Sequence, residues 1–176
     1  MADITITLVD RTTSDTTQNL KVLIMRELEN IFGDLLFSDS EATLVNVRWL
    51  DSSPPPNDQD LVLHFVENVP GSYISQKMPG KAHRQDGGGF TRTIPGGLTG
   101  SEFYKLPLSN GKPTRLTAVG YAKLAAHEAL HNMTGMSNTA LHALGGVAGS
   151  PPKLPVNDAN RQAALSALGR IPQQLV

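Results

Sequence analysis

His127-Glu128-Ala129-Leu130-His131, set within a proline-free run from Ala118 to Met133, is the stretch on which the reading of this chain turns. Residues four apart on an α-helix share one face, about 6 Å from each other, so His127 and His131 can offer nitrogens to a single metal ion. Glu128 sits one step round the same turn. From there its carboxylate can reach a water on an open coordination position and take its proton. H-E-x-x-H is the shortest sequence that puts two imidazoles and a base around one ion, and it requires a helix.

The neighbouring residues supply that helix. Thr117 is the expected N-cap, with Leu116 and Tyr121 placed for a hydrophobic staple, and Gly135 provides the stop. Val119, Ala126, Leu130 and Met133 fall on one stripe at helical periodicity, so a core face runs beside the histidine face. Gly120, on the histidine side, leaves room for another segment to approach.

Two ligands do not make a catalytic zinc site, which usually has three and an open position. His142 is the sole remaining downstream histidine, eleven residues after His131, and the turn at Gly135 can bring it back. It is the first choice for the third ligand. Asn138 is the nearest alternative, although an amide oxygen is a poor zinc ligand. Asp158 is a carboxylate alternative from a more distant element. His64, within an alternating strand-like run, reads as a structural side chain, and His83, in a glycine-rich loop, as a solvated one.

Working outward, residues Ile4 to Val9 alternate in a strand pattern, and Thr17 to Phe32 carries Leu20, Leu23, Ile24, Leu28, Ile31 and Phe32 at helical spacing before Gly33. Ala42 to Leu50 and Leu61 to Val66 read as two further strands, separated by Ser-Pro-Pro-Pro-Asn. Residues 67 to 115 are rich in Gly, Pro, Ser and Thr and read as mostly loop, with short strands at Phe90 to Ile94 and Ser101 to Leu106. An edge strand there could pair with an extended peptide. Lys77, Lys81, His83, Arg84 and Arg92 make this stretch basic, which reads as a solvated face. Tyr104 and Tyr121 read as core or surface residues rather than oxyanion donors. Asn157 or Asp158 can cap a last helix to Leu168, stopped by Gly169 and Pro172 and apolar along Ala163, Ala164, Leu165, Ala167 and Leu168.

On the residues His127, Glu128 and His131 the chain resembles the zincin metallopeptidases, and among them the metzincins, whose signature is H-E-x-x-H-x-x-G-x-x-H followed by a methionine-containing turn. Beyond these three residues the match breaks. The signature's glycine position holds Thr134, with Gly135 one residue late, its third-ligand position holds Ser137, and no methionine follows Met136. With His142 as ligand, the connection from the glycine is four residues longer than the signature. Gly145-Gly146-Val147-Ala148-Gly149 could form the turn without methionine. The resemblance implies an α/β fold of the α+β kind: a mixed twisted sheet with a crossover helix, the H-E-x-x-H helix and a C-terminal helix. It also implies Zn²⁺ as cofactor, a peptide or protein substrate, and Glu128 as general base for peptide-bond hydrolysis. The rival expectation is a non-catalytic protein of that fold that binds a peptide or partner.

Composition bounds the rest. The 176 residues suit one domain: a sheet-rich part over 1–115 that includes the glycine-rich loop 67–115, the metal-binding helix over 116–135, and a lower part over 136–176. A formal net charge of -1 argues against nucleic-acid or membrane-surface binding, and no apolar run approaches the roughly 20 residues of a membrane span. The expectation is a soluble monomer, cytoplasmic or exported without a recognisable signal peptide, as an injected effector would be. The absence of Cys removes disulfides and thiolate zinc sites.

Overall fold

The structure is a computed structural model that describes residues 2–13, 16–38, 43–50, 55–57, 60–67, 73–77, 88–105 and 114–176. Its centre is a five-stranded mixed sheet in the order β2-β1-β3-β5-β4. The strands are β1 (Ala2–Asp10), β2 (Thr43–Trp49), β3 (Leu61–Glu67), β4 (Gly89–Thr93) and β5 (Thr99–Lys105). The first four in the sheet order are mutually parallel, and β4 pairs antiparallel with β5 as the edge strand. Parallel neighbours need a crossover connection, and helix α1 (Gln18–Leu35), capped by the Thr17 side chain, supplies it between β1 and β2. The β4–β5 turn is tight, with Ile94 N–H donating to the Leu98 carbonyl at 2.8 Å. Gly96 and Gly97 hold φ values of 103° and 88° there, a region that side-chain-bearing residues rarely adopt.

Strand alternation sorts the side chains onto two faces. Ile4, Ile6, Leu8, Val47, Trp49, Leu61, Leu63, Phe65 and Phe103 join one core with α1 and with α3 (Arg115–Thr134). Phe65 stacks on Phe103 at 4.9 Å between ring centroids and meets the edge of Tyr121 from α3 at 5.2 Å. Each such buried side chain contributes on the order of 1.5–3 kcal/mol. Ala118, Ala122, Ala125, Ala126 and Ala129 of α3 are fully buried, and their small side chains let this helix lie close to its neighbours. The opposite face of the sheet carries a polar layer that includes Thr7, His64 and Glu102, all fully buried. A short helix α2 (Tyr73–Gln76) lies between β3 and β4 and packs on β5, and after α3 come α4 (Asn138–His142), a 3₁₀ turn (Gly146–Ala148) and α5 (Asp158–Ala167).

Several local expectations change. The N-cap of α3 is Thr114 rather than Thr117, which occupies the third helical position and completes a reciprocal capping box. The proposed staple fails because Leu116 is 83 % exposed. Val119 is only half-buried, and alanines carry the core face in its place. Gly33 does not stop α1, which runs two residues further with open space around that glycine. The helix α2 is unanticipated. Tyr104 and Tyr121 are both interior. Lys81, His83, Arg84, Gly87 and Leu106 lie outside the described residues. No helix among the described residues is long and apolar enough to cross a membrane.

Candidate metal centre

The helix α3 carries His127 and His131 onto one side, and its C-cap, Gly135 at φ 65°, turns the chain sharply back. The extra residues after that turn form α4, capped by the Ser137 side chain, and His142 stands at its end. One turn of helix thus absorbs the longer spacing. The ligand atoms of His127, His131 and His142 all lie within 4.8 Å of one another. Nε2 of His131 is 3.3 Å from Nε2 of His142. That separation matches the edge of a tetrahedron of nitrogens set about 2.0–2.1 Å from one ion, which is about 3.3–3.4 Å.

Backbone carbonyls orient the two helix imidazoles. His127 Nδ1 is 3.1 Å from the carbonyl oxygen of Val147, and His131 Nδ1 is 3.3 Å from that of Met136. A carbonyl can only accept, so each Nδ1 carries the proton and each Nε2 keeps its lone pair for a ligand. Val147 belongs to the glycine-flanked 3₁₀ turn, where Gly145 and Gly146 hold positive φ. The turn suspected from the glycines is therefore present, and its contribution to the site is a main-chain oxygen. Burial lowers the His127 pKa to about 4, with His131 and His142 adding to the effect against the Val147 hydrogen bond. Burial likewise lowers that of His131, helped by His142 and Arg92. Neutral imidazoles at ordinary pH are what metal ligation needs.

Glu128 is 5 % exposed, between the helix and the edge strand. Thr91 of β4 donates its hydroxyl to Glu128 Oε2 at 2.5 Å. Burial pushes the carboxyl pKa up to about 8, the Thr91 hydrogen bond opposes this, and Glu102 adds repulsion. Such basicity suits a group that accepts protons near neutral pH. The cleft holding these residues encloses about 970 Å³ and runs between β4 and the segment from Thr134 to His142. Arg92 and Arg170 line it, and Glu128 is the lone carboxylate among its described lining residues.

Of the residues singled out from the sequence, His127, Glu128, His131 and His142 come together. Asn138 lies on the cleft wall at the start of α4 and is exposed. Asp158 is apart from the site: its side chain is 97 % exposed and pairs with Arg161 at 2.9 Å. His64 is a structural histidine, taking a hydrogen bond from Arg11 Nε at 2.9 Å on Nδ1 and facing the Leu175 carbonyl through Nε2 at 2.9 Å. Sequence reasoning gave no role to Thr91. It lies 37 residues from Glu128, and no local pattern marks the pair. Comparison of the chain with protein-family models, with curated proteins and with solved structures yields no match.

Proposed function

We propose that the chain is a zinc-dependent metallopeptidase of the zincin kind, an endopeptidase acting on extended peptide or protein substrates. The observation that carries the reading is the convergence of the three imidazoles His127, His131 and His142 beside the buried, hydrogen-bonded Glu128. Three nitrogens with the remaining direction open is the donor set of catalytic rather than structural zinc. The element order supports it as well: a strand, a crossover helix and a mixed sheet precede the histidine helix, as the resemblance implies.

His127, His131 and His142 would hold the ion, which when bound supplies Lewis acidity to the scissile carbonyl and acidifies a water. Glu128 accepts a proton from the attacking water and returns it to the leaving amine. Thr91 holds Oε2 of that carboxylate at the edge strand. The outer edge of β4 has no strand partner among the described residues, so it can take an extended substrate by main-chain pairing. A volume of about 970 Å³ accommodates several residues of such a chain.

The test is zinc content together with cleavage of fluorophore-labelled casein. Wild type should bind about one zinc per chain. Glu128→Gln should keep the zinc and lose roughly 10²–10⁴-fold in kcat. His127→Ala and His131→Ala should lose both metal and activity, and His142→Ala should bind zinc about 10-fold or more weakly. Undiminished cleavage by Glu128→Gln would remove its role. Full zinc occupancy without cleavage of any peptide would favour a binding protein of the same fold.

A further inference from the structure

A continuous hydrogen-bonded chain leads from the C-terminal segment to Glu128. The backbone after α5 adds to the sheet beside β5, with Thr99 N–H donating to Gln173 O at 3.0 Å and Leu175 N–H to Thr99 O at 2.9 Å. Leu175 packs with Ile74 against Gly100, His64 Nε2 lies 2.9 Å from the Leu175 carbonyl, and the Tyr73 hydroxyl donates to the Val176 carbonyl at 2.9 Å. Between these anchors Gln174 faces Asn132, the residue that follows His131. The two amides pair reciprocally, Asn132 Nδ2 to Gln174 Oε1 at 2.9 Å and Gln174 Nε2 to Asn132 Oδ1 at 3.1 Å. Asn132 Nδ2 also reaches Ser101 Oγ at 2.9 Å, Ser101 Oγ lies 2.9 Å from Thr91 Oγ1, and Thr91 Oγ1 ends on Glu128 Oε2.

Donor bookkeeping sets the sense of every link. Gln174 Nε2 donates to the carbonyl of Pro172 at 2.5 Å, and a carbonyl cannot donate, so the Gln174 amide has one orientation. That orientation determines the Asn132 amide, whose remaining N–H must point to Ser101. With Thr91 donating its single hydrogen to Glu128, the Ser101 hydroxyl must donate to Thr91. Beyond the reciprocal Gln174–Asn132 pair, which fixes the Asn132 amide, the donors run one way, from Asn132 through Ser101 and Thr91 to the carboxylate, the arrangement in which successive bonds polarise each other. Oε1 of Glu128 has no protein partner among the described residues, and no buried side-chain oxygen there is an orphan, so this second oxygen is open to the cleft.

We propose that Gln174 is a positioning residue for Glu128, acting through Asn132, Ser101 and Thr91 to hold Oε2 so that Oε1 faces the reacting water; the proposal rests on the peptidase reading above. Zinc-loaded Gln174→Ala, Ser101→Ala and Thr91→Val are compared with wild type for kcat, KM and zinc affinity on labelled casein. The expected result is a kcat loss of about 10-fold for Gln174→Ala, growing toward about 100-fold for Thr91→Val, with KM and zinc affinity unchanged and with Thr91→Ser restored. Leu175→Ala, which loosens the same segment without touching the chain of donors, should leave kcat near wild type. An unchanged kcat in folded Gln174→Ala, or an equal loss in Leu175→Ala, would overturn the proposal. Metal-free protein separates this from failure of the peptidase reading. Gln174→Ala should shift the ¹³C resonance of the Glu128 carboxyl and the side-chain amide signals of Asn132, and a Glu128 resonance that stays in place overturns the positioning role whatever the protein cleaves.

Discussion

A β-carbon added at Gly89 would stand 2.5 Å from Glu128 Cγ, 2.9 Å from its Cδ and 2.5 Å from the Glu102 carbonyl oxygen. The edge strand and the histidine helix meet so closely that only a hydrogen fits between them. Gly89→Ala should therefore push the Glu128 side chain aside or part β4 from β5. The expected outcome is a kcat reduced by about 10²-fold with zinc affinity near wild type, read by casein cleavage and zinc titration; a fully active variant would show that Glu128 needs no such fit. At this scale the three motif residues are legible in the sequence because their spacing belongs to one helix. His142 is legible by elimination, as the sole downstream histidine. Gly89 and Thr91 are not, since their meaning comes from a neighbour on another element.

Between elements, Asn160 of α5 ties the 3₁₀ turn to the candidate metal centre. It is fully buried, and its Oδ1 accepts from Val147 N at 3.1 Å and Asn157 N at 3.2 Å while its Nδ2 donates to Gly145 O at 2.9 Å. The 3₁₀ turn so held presents the Val147 carbonyl to His127. Asn160→Ala leaves the buried Val147 N–H without its acceptor, which costs on the order of 1–3 kcal/mol. It should lower the melting temperature and also weaken zinc binding by about 10-fold, because the imidazole loses its brace. Calorimetry with zinc titration checks both, and unchanged zinc affinity in a destabilised variant would detach the turn from the site. The C-terminal helix and its Asn157 cap are readable in sequence, because capping is a contact between residues three apart. The helix start lies at Thr114 rather than Thr117 for a related reason: both threonines share one capping box, and it is Thr114 that has the extended backbone of a cap while Thr117 is already in the first turn. Leu116 looks apolar enough for a staple, yet nothing covers it.

For the whole molecule, the polar second face of the sheet sets the response to acid. Burial, helped by the neighbouring Arg11 and opposed by the hydrogen bond to Leu175, lowers the His64 pKa from 6.5 to about 4. The unfolded chain therefore binds a proton at His64 below about pH 6.5 that the folded chain refuses until about pH 4. Unfolding takes up that proton, so stability falls as pH falls through this window, by at most about 3 kcal/mol from this group. His127 and His131 act in the same direction without metal. In chelator-treated protein, His64→Gln should flatten the stability slope between pH 6.5 and 4, read by urea denaturation at several pH values, and an unchanged slope would mean that His64 is not held neutral. The residues themselves determine what depends on near neighbours: alternation in β1, helical periodicity in α1 and α3, the caps, the stop at Gly135, and two imidazoles with a carboxylate on one turn. The tertiary structure alone decides the strand order, the antiparallel edge strand laid over Glu128, the return of His142, the carbonyls that select the histidine tautomers, and the donor chain from Gln174. Those contacts join residues of different elements, from 5 to 42 positions apart among the hydrogen bonds named, and they exist only because one shared core brings the elements together, a collective burial that no short window of sequence records.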